Sequence, residues 1–303
     1  MKRKISLADW VGITGAHVLV LTPCIIFGVF VVQRLSVFLA IPLVCLLGVS
    51  LVSLNLVFLT EPGYIPLNVH PQHGQQQLTA QGGDSSEQLV TLSEALPEAL
   101  PEEYPFVQVG HYGQDRVVIV DGRAVECKYC FTCQSMRPPR TYHCGTCDRC
   151  IYRHDHHCPW TGNCIGYRNY RFFFTFLVNT SVLTWFVFIC TIVDFIKLLS
   201  DPQEVIVNSI GNHLESVLLI IYTFFMGISL GYLSGYHCYL VCKNLTTHEQ
   251  IRGKYMNRFE VDQGGSGNPF DKGVWRNIGL LLWKSIEDQL VNFDFWAQES
   301  PKN

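Results

Sequence analysis

Residues Ser36–Leu59, SVFLAIPLVCLLGVSLVSLNLVFL, hold no charged side chain. The run reaches the roughly 20 apolar residues that a helix needs to cross the hydrocarbon of a bilayer. Working outward, Val11–Val32 precedes it and is also uncharged, while Phe172 to about Ile196 and Val217–Val241 follow at a distance. Four membrane-spanning helices are therefore expected. The composition agrees: of 303 residues 48% are hydrophobic and 16% charged, where a soluble domain averages about 25% charged. An ordinary soluble enzyme is excluded, and a net charge of −3 gives no basic excess that would point to nucleic acid.

Lysine and arginine set the expected orientation. Twenty of the 22 fall in the N-terminus, the Leu59–Phe172 loop or the C-terminal tail, leaving only Arg34 and Lys197 for the other side. The positive-inside rule puts both termini and that loop in the cytosol. No cleavable signal peptide is expected, because the first run is too long and no small-residue cleavage site follows Lys2-Arg3-Lys4. The loop changes character along its length. His70–Tyr104 is rich in Gln, Gly, Ser, Pro and Glu and has no basic residue, so it is expected to be a disordered, solvated linker. Val117–Val120, Asp121-Gly122 and Arg123–Val125 then spell a hairpin with a tight primed turn.

Eight of the thirteen cysteines (Cys127, Cys130, Cys133, Cys144, Cys147, Cys150, Cys158, Cys164) lie close together, with His143, His154, His156 and His157 among them. A disulfide framework has no use for the histidines, whereas zinc does. Three Cys-x2-Cys spacings offer enough ligands for two tetrahedral Cys3His sites, with cysteine to spare. A segment this poor in apolar residues needs the metal in order to fold.

From Cys130 to Tyr170 the stretch resembles the cysteine-rich domain of the DHHC family of protein S-acyltransferases. It carries Arg137-Pro-Pro-Arg140, Asp155-His156-His157-Cys158, Trp160, Asn163-Cys164, Gly166 and Asn169-Tyr170. Glu61-Pro62-Gly63, Thr246-Thr247-His248-Glu249 and Asn268-Pro269-Phe270-Asp271 resemble further family elements, although Glu61 stands for Asp and Phe270 for Tyr. The resemblance implies one zinc on Cys130, Cys133, His143 and Cys150 and a second on Cys144, Cys147, His157 and Cys164, which leaves Cys158 as the nucleophile. A cysteine beside a histidine has its own chemistry. His156 can take the thiol proton, Asp155 can orient the imidazole, and the thiolate can attack a thioester. His154, in front of the motif, reads as a surface residue.

The family likeness further implies palmitoyl-CoA or another long-chain acyl-CoA as donor, with Trp160, Phe173, Phe176 and Leu183 lining an acyl cavity. Lys128, Arg137 and Arg140 are the cations beside the zinc ligands that could meet CoA phosphates. Acceptors would be proteins with membrane-proximal cysteines. The Cys130–Arg140 stretch looks most like the Ras-acylating subgroup, implying Ras-like GTPases and an accessory subunit.

In the fourth run Gly227, Gly231 and Gly235 form a small-residue stripe for helix packing, while Asn179 and Asp194 should face the bundle or an interface. The expected architecture is an all-α integral membrane protein, four transmembrane helices carrying a cytosolic cysteine-rich two-zinc β-hairpin domain. Its divisions are a cytosolic N-terminus (1–10), spans one and two (11–59), the linker (60–108), the zinc-binding domain (109–171), spans three and four (172–242) and a cytosolic tail (243–303). The expected location is an endomembrane, Golgi or ER. Two rivals are a catalytically silent zinc scaffold, which would need no unligated thiol, and a metal transporter, which would need a path of His, Asp or Glu through the spans.

Overall fold

The computed structural model describes residues 5–65, 110–112, 115–120, 123–200, 211–255 and 267–282. The Gln- and Ser-rich linker lies almost wholly outside them, as does the tail beyond 282.

Among the described residues, four helices are long and apolar enough to cross a membrane: span one (Leu7–Leu35), span two (Val37–Leu59), span three (Tyr170–Leu199) and span four (Leu214–Cys242). Spans one, three and four outrun their expected bounds, and the charges where spans one and four extend past theirs are paired. Arg34 binds Asp194 at 2.7 Å and Glu215 at 2.9 Å, and it also donates to Ser216. Asp194 is thus not merely interfacial: it is buried at this junction of three helices. Span one starts at a capping box, Ser6 with Asp9, which satisfies the first orphan N–H groups. It contains Pro23 and a π-helical turn at Phe27–Val31 before resuming as Val32–Leu35.

Span three packs between spans two and four. Asn179 donates to the Leu46 carbonyl and to Ser50, and Ser50 also meets Thr180 at 2.9 Å. Such bonds between spans are worth about 1 kcal/mol each. The glycine stripe serves span three only in part. Gly227 and Gly231 leave room for the Trp185 ring, whereas Gly235 faces open space.

The loop after span two enters the cysteine-rich domain, which is built from short hairpins. β1 (Gly110–Tyr112), β2 (Asp115–Val120) and β3 (Arg123–Cys127) form a three-stranded sheet. Val120 pairs with Arg123 across the expected two-residue turn. β1 was not legible in sequence, being only three residues long. Three further two-stranded hairpins follow: β4/β5 (Tyr129–Cys130, Ser135–Met136), β6/β7 (Tyr142–Cys144, Arg149–Ile151) and β8/β9 (His156–Cys158, Asn163–Ile165). After span four come the short helix Thr247–Ile251 and the helix Val274–Leu282, whose Ile278 and Leu281 pack beside Val241 and Tyr170.

The hairpins are fastened to the bundle by polar side chains. Asn163 Nδ2 donates to the carbonyls of Val57, Phe58 and Thr60, which the end of span two leaves without helical partners. Asn169 bonds Gly166 and the Cys164 carbonyl. Glu61 accepts from the Tyr64 amide and pairs with Arg168 at 2.9 Å. Gly63, at φ +107°, turns the chain so that its carbonyl meets the Tyr152 amide.

Candidate active site and metal centres

Strand parity sorts the ligands from the nucleophile. Successive side chains of a strand point to opposite faces. In β8, therefore, His156 and Cys158 share one face and His157 takes the other, where it pairs across the ladder with Cys164. In β6/β7 the same rule separates His143, opposite Cys150, from its neighbour Cys144. Two donor sets result, Cys130, Cys133, His143 and Cys150, and Cys144, Cys147, His157 and Cys164. The donor atoms of each set lie within 4.8 Å of one another.

Both sets have the composition of a closed tetrahedral site for zinc. Each histidine turns Nδ1 to the thiols, His143 to Cys133 at 3.3 Å and His157 to Cys164 at 3.3 Å. Each has a carboxylate on its Nε2 side, beyond hydrogen-bond distance, Asp148 at 3.6 Å and Asp9 at 4.0 Å. Asp9 belongs to the first turn of span one, so that span reaches the second site. Gly12 and Gly162 make the approach possible, because a Cβ on Gly12 would strike the Pro159 carbonyl and one on Gly162 would come within 2.6 Å of the Asp9 oxygen.

Cys158 lies outside both sets. It shares one face of β8 with His156, whose Nδ1 bonds Asp155 Oδ2 at 2.7 Å. Asp155 is buried, and its other oxygen accepts from the Thr247 amide at 2.9 Å. Burial opposes ionisation of Asp155, but the bond and charge of His156 outweigh it and hold the carboxyl below its ordinary range. Burial likewise lowers the His156 imidazole, while the bonds to Asp155 and Cys158 push it up to about 10. Burial raises the Cys158 thiol, and the His156 bond and charge more than offset this, so it sits below the ordinary thiol value. Both shifts favour passage of the thiol proton to the imidazole, beside a buried carboxylate.

The Thr247 amide is itself held in place. Thr246 caps the short helix in a capping box with Glu249, and Glu249 grips Arg140 with both oxygens, at 2.8 and 2.7 Å. Arg140 also donates to the side chain and carbonyl of Asn244, and it lies 4.6 Å from the centre of the Phe270 ring. The aromatic face at position 270 thus contributes a cation–π contact without a hydroxyl.

Two expectations need correction. Arg140 is buried in this ion pair and cannot reach a CoA phosphate, since its donors are taken by Glu249 and Asn244. Lys128 and Arg137 remain, Lys128 exposed and Arg137 half-buried and donating to the Lys128 carbonyl. His154 is not a surface residue. It is buried with Nε2 at 3.8 Å from Cys164 Sγ, because its amide is pinned to the Arg140 carbonyl.

A cavity of about 600 Å³ opens at Cys158 and runs between spans one, three and four. Trp160, Phe173, Phe176 and Leu183 all line it. His237 of span four also lines it; it is buried, with its ring 6.2 Å from His156 and its Nδ1 bonded to the Tyr170 hydroxyl at 3.0 Å. Its signal was present in the sequence, since an ionisable residue within a span is by default a candidate for function.

Residues 124–254 match the family described as DHHC palmitoyltransferase. Palmitoyltransferase ZDHHC18 of Mus musculus is 43% identical over 180 residues, 58% of this chain and 46% of that protein. Palmitoyltransferase ZDHHC18-A of Danio rerio is 38% identical over 208 residues, 65% of this chain and 44% of that one. Probable protein S-acyltransferase 2 of Arabidopsis thaliana is 32% identical over 286 residues, 93% of this chain and 62% of that one. The chain spans about half the length of the first of these curated relatives. The match covers both donor sets, Cys158 with its His156–Asp155 partners, and the Thr246–Glu249 cap that holds them, and it is this stretch, residues 124–254, that carries the DHHC palmitoyltransferase domain.

Proposed function

We propose that the chain is a protein S-acyltransferase that moves a long-chain acyl group, palmitoyl in the first place, from acyl-CoA to Cys158 and then to a cysteine of a membrane-associated protein. The observation that carries this reading is the setting of one thiol: Cys158 lies outside both metal sets, shares the β8 face with His156, and lines an apolar cavity.

The steps follow from the groups present. His156 takes the Cys158 proton, and Asp155 steadies the imidazolium. The thiolate attacks the thioester carbonyl of acyl-CoA; the bond to the CoA sulfur breaks, and the CoA thiolate takes the proton back from His156. An acceptor cysteine, deprotonated by the same imidazole, then attacks the acyl-enzyme and releases Cys158. One thioester replaces another, so no nucleotide is consumed. The two donor sets would hold zinc, which would cross-link the hairpins. The acyl tail would lie along Phe173, Phe176 and Leu183 beneath Trp160, with Lys128 and Arg137 near the CoA phosphates.

In this reading the termini and the zinc domain are cytosolic and the membrane is that of the Golgi or ER. Acceptors are proteins with membrane-proximal cysteines, Ras-like GTPases being the class suggested by the Cys130–Arg140 stretch, with an accessory subunit.

The test is to incubate the purified protein with labelled palmitoyl-CoA. Label that hydroxylamine removes, and that Cys158→Ser prevents, supports the reading. A zinc-loaded protein that takes no label would be the scaffold instead.

A further inference from the structure

Pro23 lies inside span one. Proline has no N–H, so the Leu19 carbonyl four residues earlier loses the bond that a helix would normally provide. A backbone oxygen left unpaired in hydrocarbon is costly, and neighbouring helices commonly supply the missing donor. Span four does so here: the Tyr222 hydroxyl donates to the Leu19 carbonyl at 2.8 Å.

The bond occupies a particular place. Leu19, Pro23 and Tyr222 all line the cavity below Cys158, and Leu19 is 37% exposed on its other side. The bond therefore sits on the seam between spans one and four, where cavity and lipid meet. From His237, beside His156, to Tyr222 span four rises about 22 Å, and from Phe173 to Leu183 span three rises about 15 Å. Tyr222 is thus at the cavity's far end. Directly beyond Pro23 the π-helical turn brings Phe27 and Val31 into one buried cluster with Leu183 and Val187, both of which line the cavity.

Resting on the proposed acyl transfer, we infer that Tyr222 is a specificity-determining residue for the acyl chain. Its hydroxyl latches span four to the kink of span one and shuts the side wall where a long saturated chain would end. With the latch made, chains that overrun the cavity are refused; without it, the seam gives and they are admitted.

Tyr222→Phe keeps the ring and removes only the donor. Pro23→Ala returns an N–H to Leu19 and makes the Tyr222 hydroxyl redundant. The experiment is a double-mutant cycle on these two positions, read by competition among C14, C16, C18 and C20 acyl-CoAs for the hydroxylamine-sensitive acyl-enzyme. In the Pro23 background, Tyr222→Phe should reduce discrimination against C18 and C20 by roughly three- to tenfold, the worth of one hydrogen bond. In the Pro23→Ala background it should change nothing. An equal shift in both backgrounds, or none in either, overturns the latch. Should no chain label even the unaltered protein, the proposed reaction fails and the latch is read from thermal unfolding in detergent. Tyr222→Phe must then lower the midpoint with Pro23 present and leave it unmoved in the Pro23→Ala background, and equal shifts overturn it.

Discussion

Arg140 and Glu249, separated by about half of the zinc domain and two spans, meet as a bidentate ion pair with side chains only 3% and 0% exposed. Glu249 also closes the capping box on Thr246, and the next residue, Thr247, gives its amide to Asp155. A carboxylate on the cap therefore holds the domain and steadies the residue that orients His156. Breaking a buried pair by removing one charge costs about 3–5 kcal/mol, because the other charge is left unpaired. Glu249→Gln should lower the thermal midpoint in detergent and slow acylation, while Glu249→Asp should recover part of both. Unchanged unfolding would show that the pair does not stabilise the domain.

Cys158→Ser should keep the metal content and the unfolding midpoint while losing the acyl-enzyme, because an alcohol at neutral pH is a far poorer nucleophile than a thiolate. Intact mass after incubation with palmitoyl-CoA checks this. A full acyl adduct on the Ser variant would assign the chemistry elsewhere.

Elemental analysis should find about two zinc ions per chain, one for each closed four-ligand site. Cys130→Ser and Cys164→Ser should each lower that number and the yield of folded protein, since ligand binding is folding energy in a domain of short hairpins. A ratio near one would break the assignment of the two donor sets.

Leu183 is buried and lines the cavity from span three. Leu183→Ala should shift competition among C14, C16 and C18 acyl-CoAs toward the longer chain, and Leu183→Trp toward the shorter. Each methylene gained or lost from burial is worth roughly 0.8 kcal/mol, about fourfold. Equal selectivity in both variants would mean that span three does not measure the chain.

Gly12 touches the Pro159 carbonyl so closely that a Cβ cannot be placed without moving backbone. Gly12→Ala should displace the turn after Cys158 and reduce the rate of acyl-enzyme formation at least tenfold, an effect of about 1.4 kcal/mol, with zinc content unchanged. Normal rates in this variant would show that the contact between span one and the loop is dispensable.

Span count was legible in the chain because a bilayer demands that every backbone group be paired within the segment, so a long uncharged run can only be a helix. Ligand chemistry was legible too: His143 and the Cys-x2-Cys spacings name zinc by residue type alone. The ends of the spans were not, since Arg34 and Glu215 look like terminators until they are seen to pair, Arg34 also with Asp194.

What only the tertiary structure decided were the meetings between residues far apart in the chain. Periodicity and spacing are local signals, and they say which face a side chain occupies but not what waits opposite it. Arg140 could be read as a phosphate ligand until Glu249 was found in its fork, and His154 as a surface residue until Cys164 was found beside it. The Thr247 amide and the Tyr222 hydroxyl gain their roles from packing alone, because burial and donor geometry arise only when distant segments exclude water from the same place.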